Sequence, residues 1–174
     1  YNDEQTIFWA SGACFFIRRT IFNQLNGFDD DFFAHQEEID LCWRAFNLGY
    51  KAKYSPNSVV YHVGGATLNE GNPRKTFLNF RNSLLMLTKN LPKNQLFPII
   101  FMRLCLDGLA GIQFILKGKF KHCWAIIEAH FAFYSVVNQF YKKRGVIQKS
   151  NYYKTNSIVF SYFIKNGKVF ADLF

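Results

Sequence analysis

The stretch NQLFPIIFMRLCLDGLAGIQFIL, residues 94–116, constrains this chain more than any other. It is long enough for a helix that crosses a bilayer. Pro98, Arg103, Asp107 and Gln113 interrupt it, however, and charges at mid-bilayer depth are expensive. The pattern therefore predicts a long apolar helix that is not a simple span. KGKFKH follows, and then a second apolar helix over about 122–141 that ends in KKRG. Apolar helices bracketed by lysines suit an in-plane attachment at a membrane surface. Two packed core helices joined by a solvated basic loop are the alternative.

The charge supports a division of labour. Residues 1–70 carry five Lys/Arg against nine Asp/Glu, a net of −4, whereas residues 71–174 carry sixteen bases against three acids, a net of +13. The acidic part can hold chemistry or a metal, and the basic part can face phosphate. Nucleic acid is not the expected partner: no zinc finger, RNA-recognition signature or regular basic helix accompanies the charge. With 19% aromatic residues, including 21 Phe, the chain is not a disordered one. The cysteines, Cys14, Cys42, Cys105 and Cys123, form no CxxC and no zinc spacing, and read as buried free thiols of a reducing compartment.

Along the first half, TIFWASGACFFIRR reads as strand, tight loop, strand, and RTIFNQLNGF as a short helix ended by Gly27. DDDFFAH is a loop. Apolar positions from Ile39 to Leu48 recur at helical spacing, so a helix starts at Glu37 and closes at Gly49. YKAKYSPNSVVYHVGG predicts two short strands broken by Ser-Pro-Asn. Residues 73–90 predict a helix with Pro73 in its first turn. The tail SIVFSYFIKNGKVFADLF alternates around Asn166-Gly167 and predicts a β-hairpin. Three regions follow: 1–90, 91–150 with the apolar helices, and 151–174 with the hairpin.

The chemistry-bearing feature is FFAHQEEIDLCWRAF, where Glu37, Glu38 and Asp40 lie at a helix start. First-turn carboxylates are favoured by the helix dipole alone, and that is one reading. The other assigns them work. Neighbouring helix residues point about 100° apart, so Glu37 and Glu38 would play different parts: one a general base in a cleft, the other a brace or a grip on a substrate hydroxyl. His62, at the end of SVVYH, is a metal ligand or proton carrier by type, or a structural histidine. His35 lies near the acids and can orient them. The Ser11-Gly12-Ala13 loop would let a ligand approach the backbone, with Trp9 beside it to stack on a sugar ring; a buried Trp next to a tight turn is the alternative.

Taken in order, WASGACFFIRR, NGFDDDFFAHQEEIDLCWRAFNLGYKAKYSPNSVVYHVGG and RKTFLNFRNSLLMLTKN resemble the C-terminal half of bacterial family 2 glycosyltransferases of the rhamnosyltransferase-like kind. The similarity covers roughly residues 6–90. It implies an α/β, Rossmann-like GT-A fold and inverting transfer from a nucleotide-diphosphate sugar with Mg2+ or Mn2+. It implies Glu38 as the base on the acceptor hydroxyl, where most relatives have Asp, with Glu37 as its partner acid and Asp40 as a brace. His62 would help hold the metal, and Trp9, Ser11, Gly12, Ala13 and His35 would line the substrate side. The implied acceptor is a saccharide or a lipid-linked sugar in cell-surface polysaccharide synthesis. The implied location is cytoplasmic, peripheral on an anionic inner membrane face.

The sequence departs from that family in lacking its first half, with the nucleotide-binding strands and the Asp-x-Asp that bridges metal and diphosphate. Asp29-Asp30-Asp31 is not that motif. The expectation is a fragment of a longer enzyme, inactive alone. A membrane-surface binding or assembly module without chemistry is the competing expectation.

Overall fold

The computed structural model describes residues 2–62, 71–153, 157–164 and 166. Two short strands, β1 (Gln5–Ile7) and β2 (Ala52–Tyr54), pair antiparallel with Gln5 opposite Tyr54 and Ile7 opposite Ala52. Between them lie α1 (Arg19–Gln24), a 3-10 turn (Asp30–Phe32) and α2 (Glu37–Asn47). Three long helices follow, α3 (Pro73–Asn90), α4 (Lys93–Leu116) and α5 (Phe120–Lys142), and then the short α6 (Ile158–Phe163).

Local chemistry sets these boundaries as read from sequence. Asn72 caps α3, its side chain accepting from the Arg74 amide, and Pro73 occupies the first turn, where no amide partner is needed. Gly27 and Gly49 take positive φ just beyond α1 and α2, where a Cβ would be strained.

The helix α3 is central: from Asn82 to Leu91 only Leu87 escapes full burial. It runs parallel to α5. Near one end Thr76 Oγ1 and His122 Nδ1 are 2.8 Å apart; at the other, Arg144 just past α5 donates to the carbonyls of Thr88 and Leu91 beside the end of α3. α4 runs antiparallel to both. One core joins the halves of the chain. Phe32 and Trp43 meet Leu84, Leu85, Met86 and Leu91 of the α3 region, with Phe133 and Phe140 of α5. Phe8 enters this core edge-on to Trp43 and Phe46, and so anchors the segment after β1 that carries Trp9.

Several expectations change. The described residues hold one two-stranded sheet and are otherwise mostly helical, so no parallel Rossmann-like sheet is present among them. Residues 15–18 and 58–62, expected as strands, have no strand assignment; a strand needs a neighbour for its backbone groups, and none of the described segments offers one. The first arm of the expected hairpin is α6, nucleated by Ser157, whose hydroxyl accepts from the Phe160 amide. The second arm lies outside the described residues. Cys14 and Cys105 are exposed rather than buried, and all four thiols are free.

Candidate active site

The acids stand on an unusual piece of backbone. Phe33, His35 and Gln36 all take positive φ, at 64°, 68° and 77°. Such conformations are uncommon outside glycine and persist only where the surroundings enforce them. The enforcer is Asn82 on α3, fully buried, whose Nδ2 lies 2.9, 2.7 and 2.8 Å from the carbonyls of Phe32, Ala34 and His35. Arg81 adds Nη2 donations to the carbonyls of Asp31 and Phe32, and its Nε donates to Asn82 Oδ1. Burial pushes the Arg81 guanidinium pKa down, and Arg74 adds to this against Asp31. A rigid helix thus holds the loop that launches α2.

From that loop Glu37 and Glu38 emerge half-buried. One carboxylate oxygen of each, Oε2, is buried without a hydrogen-bond partner, as is Nε2 of His35. Buried unpaired acceptors are costly and rare, and so mark a place where a ligand group or water can be received. The Ser11-Gly12-Ala13 loop closes over Glu38: a Cβ on Gly12 would lie 3.8 Å from Glu38 Cδ. Ser11 shapes this turn, its Oγ accepting from the Ala13 amide. Cys42 lies below; burial pushes its thiol pKa up, the Ala10 amide opposes this and the Glu38 charge adds to it. The structure therefore brings Glu38, Ala10 and the small-residue loop together. Trp9 is 42% exposed just past β1, which sets aside the buried-tryptophan alternative.

Asp40 is placed differently. It is fully buried and accepts from Arg44 Nε at 2.7 Å, Lys89 Nζ at 3.0 Å and Asn90 Nδ2 at 2.8 Å. Lys89 also reaches Asp29 at 2.7 Å, and Lys143 reaches Asp29 and Asp31, each at 2.7 Å. Arg44 ties this cluster to the carbonyls of Leu25 and Gly27. Burial pushes the Asp29 carboxyl up, but hydrogen bonds from Lys143 and Lys89 outweigh it and hold the pKa below 3.8. The same contacts raise the Lys143 ammonium against its desolvation. Asp40 is a brace between α2 and α3, and no substrate can reach it.

His62 is exposed in a segment without regular structure. Among the described residues no three His, Cys, Asp or Glu side chains gather as a metal site. The described residues therefore do not by themselves fit a divalent cation.

Sequence reading missed Arg81, Asn82, Lys89, Asn90 and Lys143. The available signal was a basic–amide pair repeated eight residues apart on α3, Arg81-Asn82 and Lys89-Asn90.

Relatives of known activity match part of the chain. It is 37% identical to the N-acetylglucosaminyl-diphospho-decaprenol L-rhamnosyltransferase of Mycobacterium tuberculosis over 59 residues, 34% of this chain and 19% of that protein. It is 36% identical to the rhamnosyltransferase WbbL of Escherichia coli over 62 residues, 36% of this chain and 23% of that one. It is 29% identical to the pre-mycofactocin glycosyltransferase of Mycobacterium tuberculosis over 72 residues, 41% of this chain and 15% of that one. The matches thus span less than a quarter of each relative's length. No protein-family model and no solved structure matches significantly. Over about a third of its length, this chain is a partial homologue of rhamnosyltransferases and related glycosyltransferases.

Proposed function

We propose that the chain supplies the acceptor side of an inverting family 2 glycosyltransferase of GT-A fold, with Glu38 as general base. The observation that carries this is Glu38 itself: half-buried at a helix start, with one oxygen unpaired, against a small-residue loop. A base has to reach the proton it removes, and this carboxylate is held at a helix start with a lone pair unspent. Glu38 takes the proton from an acceptor hydroxyl; that oxygen bonds to the anomeric carbon of the donor; the bond from that carbon to the diphosphate breaks, and the nucleoside diphosphate leaves with the electron pair. Glu37 grips the acceptor, His35 orients the acids, Ser11, Gly12 and Ala13 line the acceptor side, and Trp9 stacks on the sugar. Mg2+ or Mn2+ would neutralise the donor diphosphate in this reading, with His62 as the residue assigned to it.

The relatives' names point to L-rhamnose and a diphospho-decaprenol-linked acceptor as the first pair to try. The acceptor class is a saccharide or lipid-linked sugar of cell-surface polysaccharide synthesis, met on the cytoplasmic face of the inner membrane. The test is a transfer assay on the full-length protein with a panel of nucleotide sugars, with Mg2+ and with Mn2+. Turnover with one donor, abolished in Glu38→Gln and shifted in metal dependence in His62→Ala, supports the reading. Transfer retained by Glu38→Gln removes Glu38 as the base. A folded protein that turns over no donor yet binds vesicles would favour the module without chemistry.

A further inference from the structure

The outer face of α4 is apolar from end to end. Phe97, Phe101, Met102, Leu109, Ile112 and Leu116 are all more than half exposed, and between residues 97 and 116 the exposed arc carries one polar side chain, Gln113. Of the charges that interrupt the run, Asp107 points inward and Arg103, 32% exposed, folds back onto it. Asp107 is buried and pairs with Arg103 Nε at 2.7 Å and with His130 Nε2 of α5 at 3.1 Å. Polar groups turned inside and apolar groups turned outside invert the pattern of a water-facing helix.

The face continues onto α5 and then stops. Phe120, Trp124, Ile127, Phe131 and Tyr134 recur at three- and four-residue spacing and are exposed. Cys123 and His130, on the flank of that stripe, meet Gly111 and Asp107 of α4, so the stripe adjoins α4. On the opposite flank Lys121, Glu128 and Ser135 are exposed, and Lys121 and Glu128 border a groove shared with Pro73 and Arg74 of α3. The apolar surface is thus one sheet of side chains with a polar margin toward α3. Lys117, Lys119 and Lys121 stand at its α4–α5 turn, and Lys93 and Lys142 at the other end, all exposed.

The geometry points to an anionic bilayer as the occupant of this face, with α4 and the adjoining stripe of α5 lying in the membrane plane. α4 is long and apolar enough to cross a membrane, but crossing is excluded by its neighbours. α3 accompanies α5 along its length, and would carry Arg81 and Asn82 of its middle into the hydrocarbon. A second copy of this chain is disfavoured by charge: pairing two such faces brings lysines against lysines at both ends, and the one exposed acid at the margin, Glu128, lies along the flank toward α3 and already accepts from Trp124 Nε1. Anionic headgroups match lysines at both ends while the apolar arc enters the acyl boundary. This inference deepens the membrane partner of the proposed function, and its test needs no turnover, so either can fail without the other.

The experiment is flotation of the full-length protein with vesicles of phosphatidylcholine alone or mixed with phosphatidylglycerol. Binding should require phosphatidylglycerol and weaken with salt. The double variant Phe101→Asp/Leu109→Asp, at exposed positions, should lose at least about tenfold in binding. Lys117→Glu/Lys119→Glu should also weaken it. In the wild type, acyl-brominated lipid should quench Trp124, read as the difference from Trp124→Phe, and vesicles should slow alkylation of Cys105 but not of Cys14. The proposal is overturned if the wild type stays unbound, if the Asp variant floats unchanged, or if the wild type is a dimer that the Asp variant dissociates. Should that variant fail to fold, the Trp124 and Cys105 readouts in wild type decide alone.

Discussion

Replacing Asp40 with Asn separates bracing from chemistry in the acidic motif. Asp40 is fully buried and takes three donors, from Arg44, Lys89 and Asn90. The amide oxygen, set where Oδ2 lay, still faces Arg44 and Lys89, and the NH2 then meets the Asn90 amide donor, so the charge and at least one acceptor are lost. Breaking a buried ion pair from one side costs about 3–5 kcal/mol. Two features move the value to the low end. Lys89 keeps Asp29 at 2.7 Å, and Arg44 keeps two backbone carbonyls and is 17% exposed. The expected loss is about 3 kcal/mol, which for a protein of this size lowers Tm by roughly 6–12 °C. Urea and thermal unfolding of the full-length protein measure it, with Glu38→Gln in parallel. That control should stay within about 1 kcal/mol of wild type, since Glu38 is half-exposed and has an unpaired oxygen. Asp40→Asn within about 1 kcal/mol of wild type, or Glu38→Gln as destabilising as Asp40→Asn, would refute the division between a structural and a chemical carboxylate.

Two further outcomes follow from the same contacts. Asn82→Ala removes the clamp on a loop of positive-φ residues; it should cost about 3 kcal/mol, speed hydrogen exchange at residues 33–36, and lower kcat at least about tenfold with KM unchanged. Stability should also depend on pH at both extremes. The depressed Asp29 pKa gives stabilisation that is complete above 3.8 and lost as pH falls from there through the folded value. The raised Lys143 pKa gives stabilisation that is complete below 10.5 and lost as pH rises through its folded value. Lys143→Met should flatten both limbs in a pH series of melting curves.

Local chemistry was legible where a residue acts within its own neighbourhood. Pro73 at a helix start, Gly27 and Gly49 past helix ends, and the 3.6-residue pattern of α2, α3 and the apolar helices all emerge as read, because each is fixed by a few bonds' reach. The segments at 15–18, 58–62 and 158–163 were misread for one shared reason. β-like composition states what a segment tolerates, and pairing depends on a partner strand that the segment does not contain. At 158–163 the chain forms a short helix capped by Ser157 instead.

The sequence by itself determined that three carboxylates cluster at a helix start, that a long apolar run follows, and that the charge is divided between the two parts of the chain. Only the tertiary structure decided what each does. It made Asp40 a brace by setting Lys89 and Asn90 of α3 against it, and left Glu38 with a free oxygen by bringing a glycine loop over it. It also turned Asp107 inward to meet Arg103 and His130, so that a run broken by charges in sequence presents a face whose exposed arc is apolar except for Gln113. The physical reason is common to these cases: whether a polar group is stable, reactive or hidden depends on partners tens of residues away, which packing selects and local sequence does not encode.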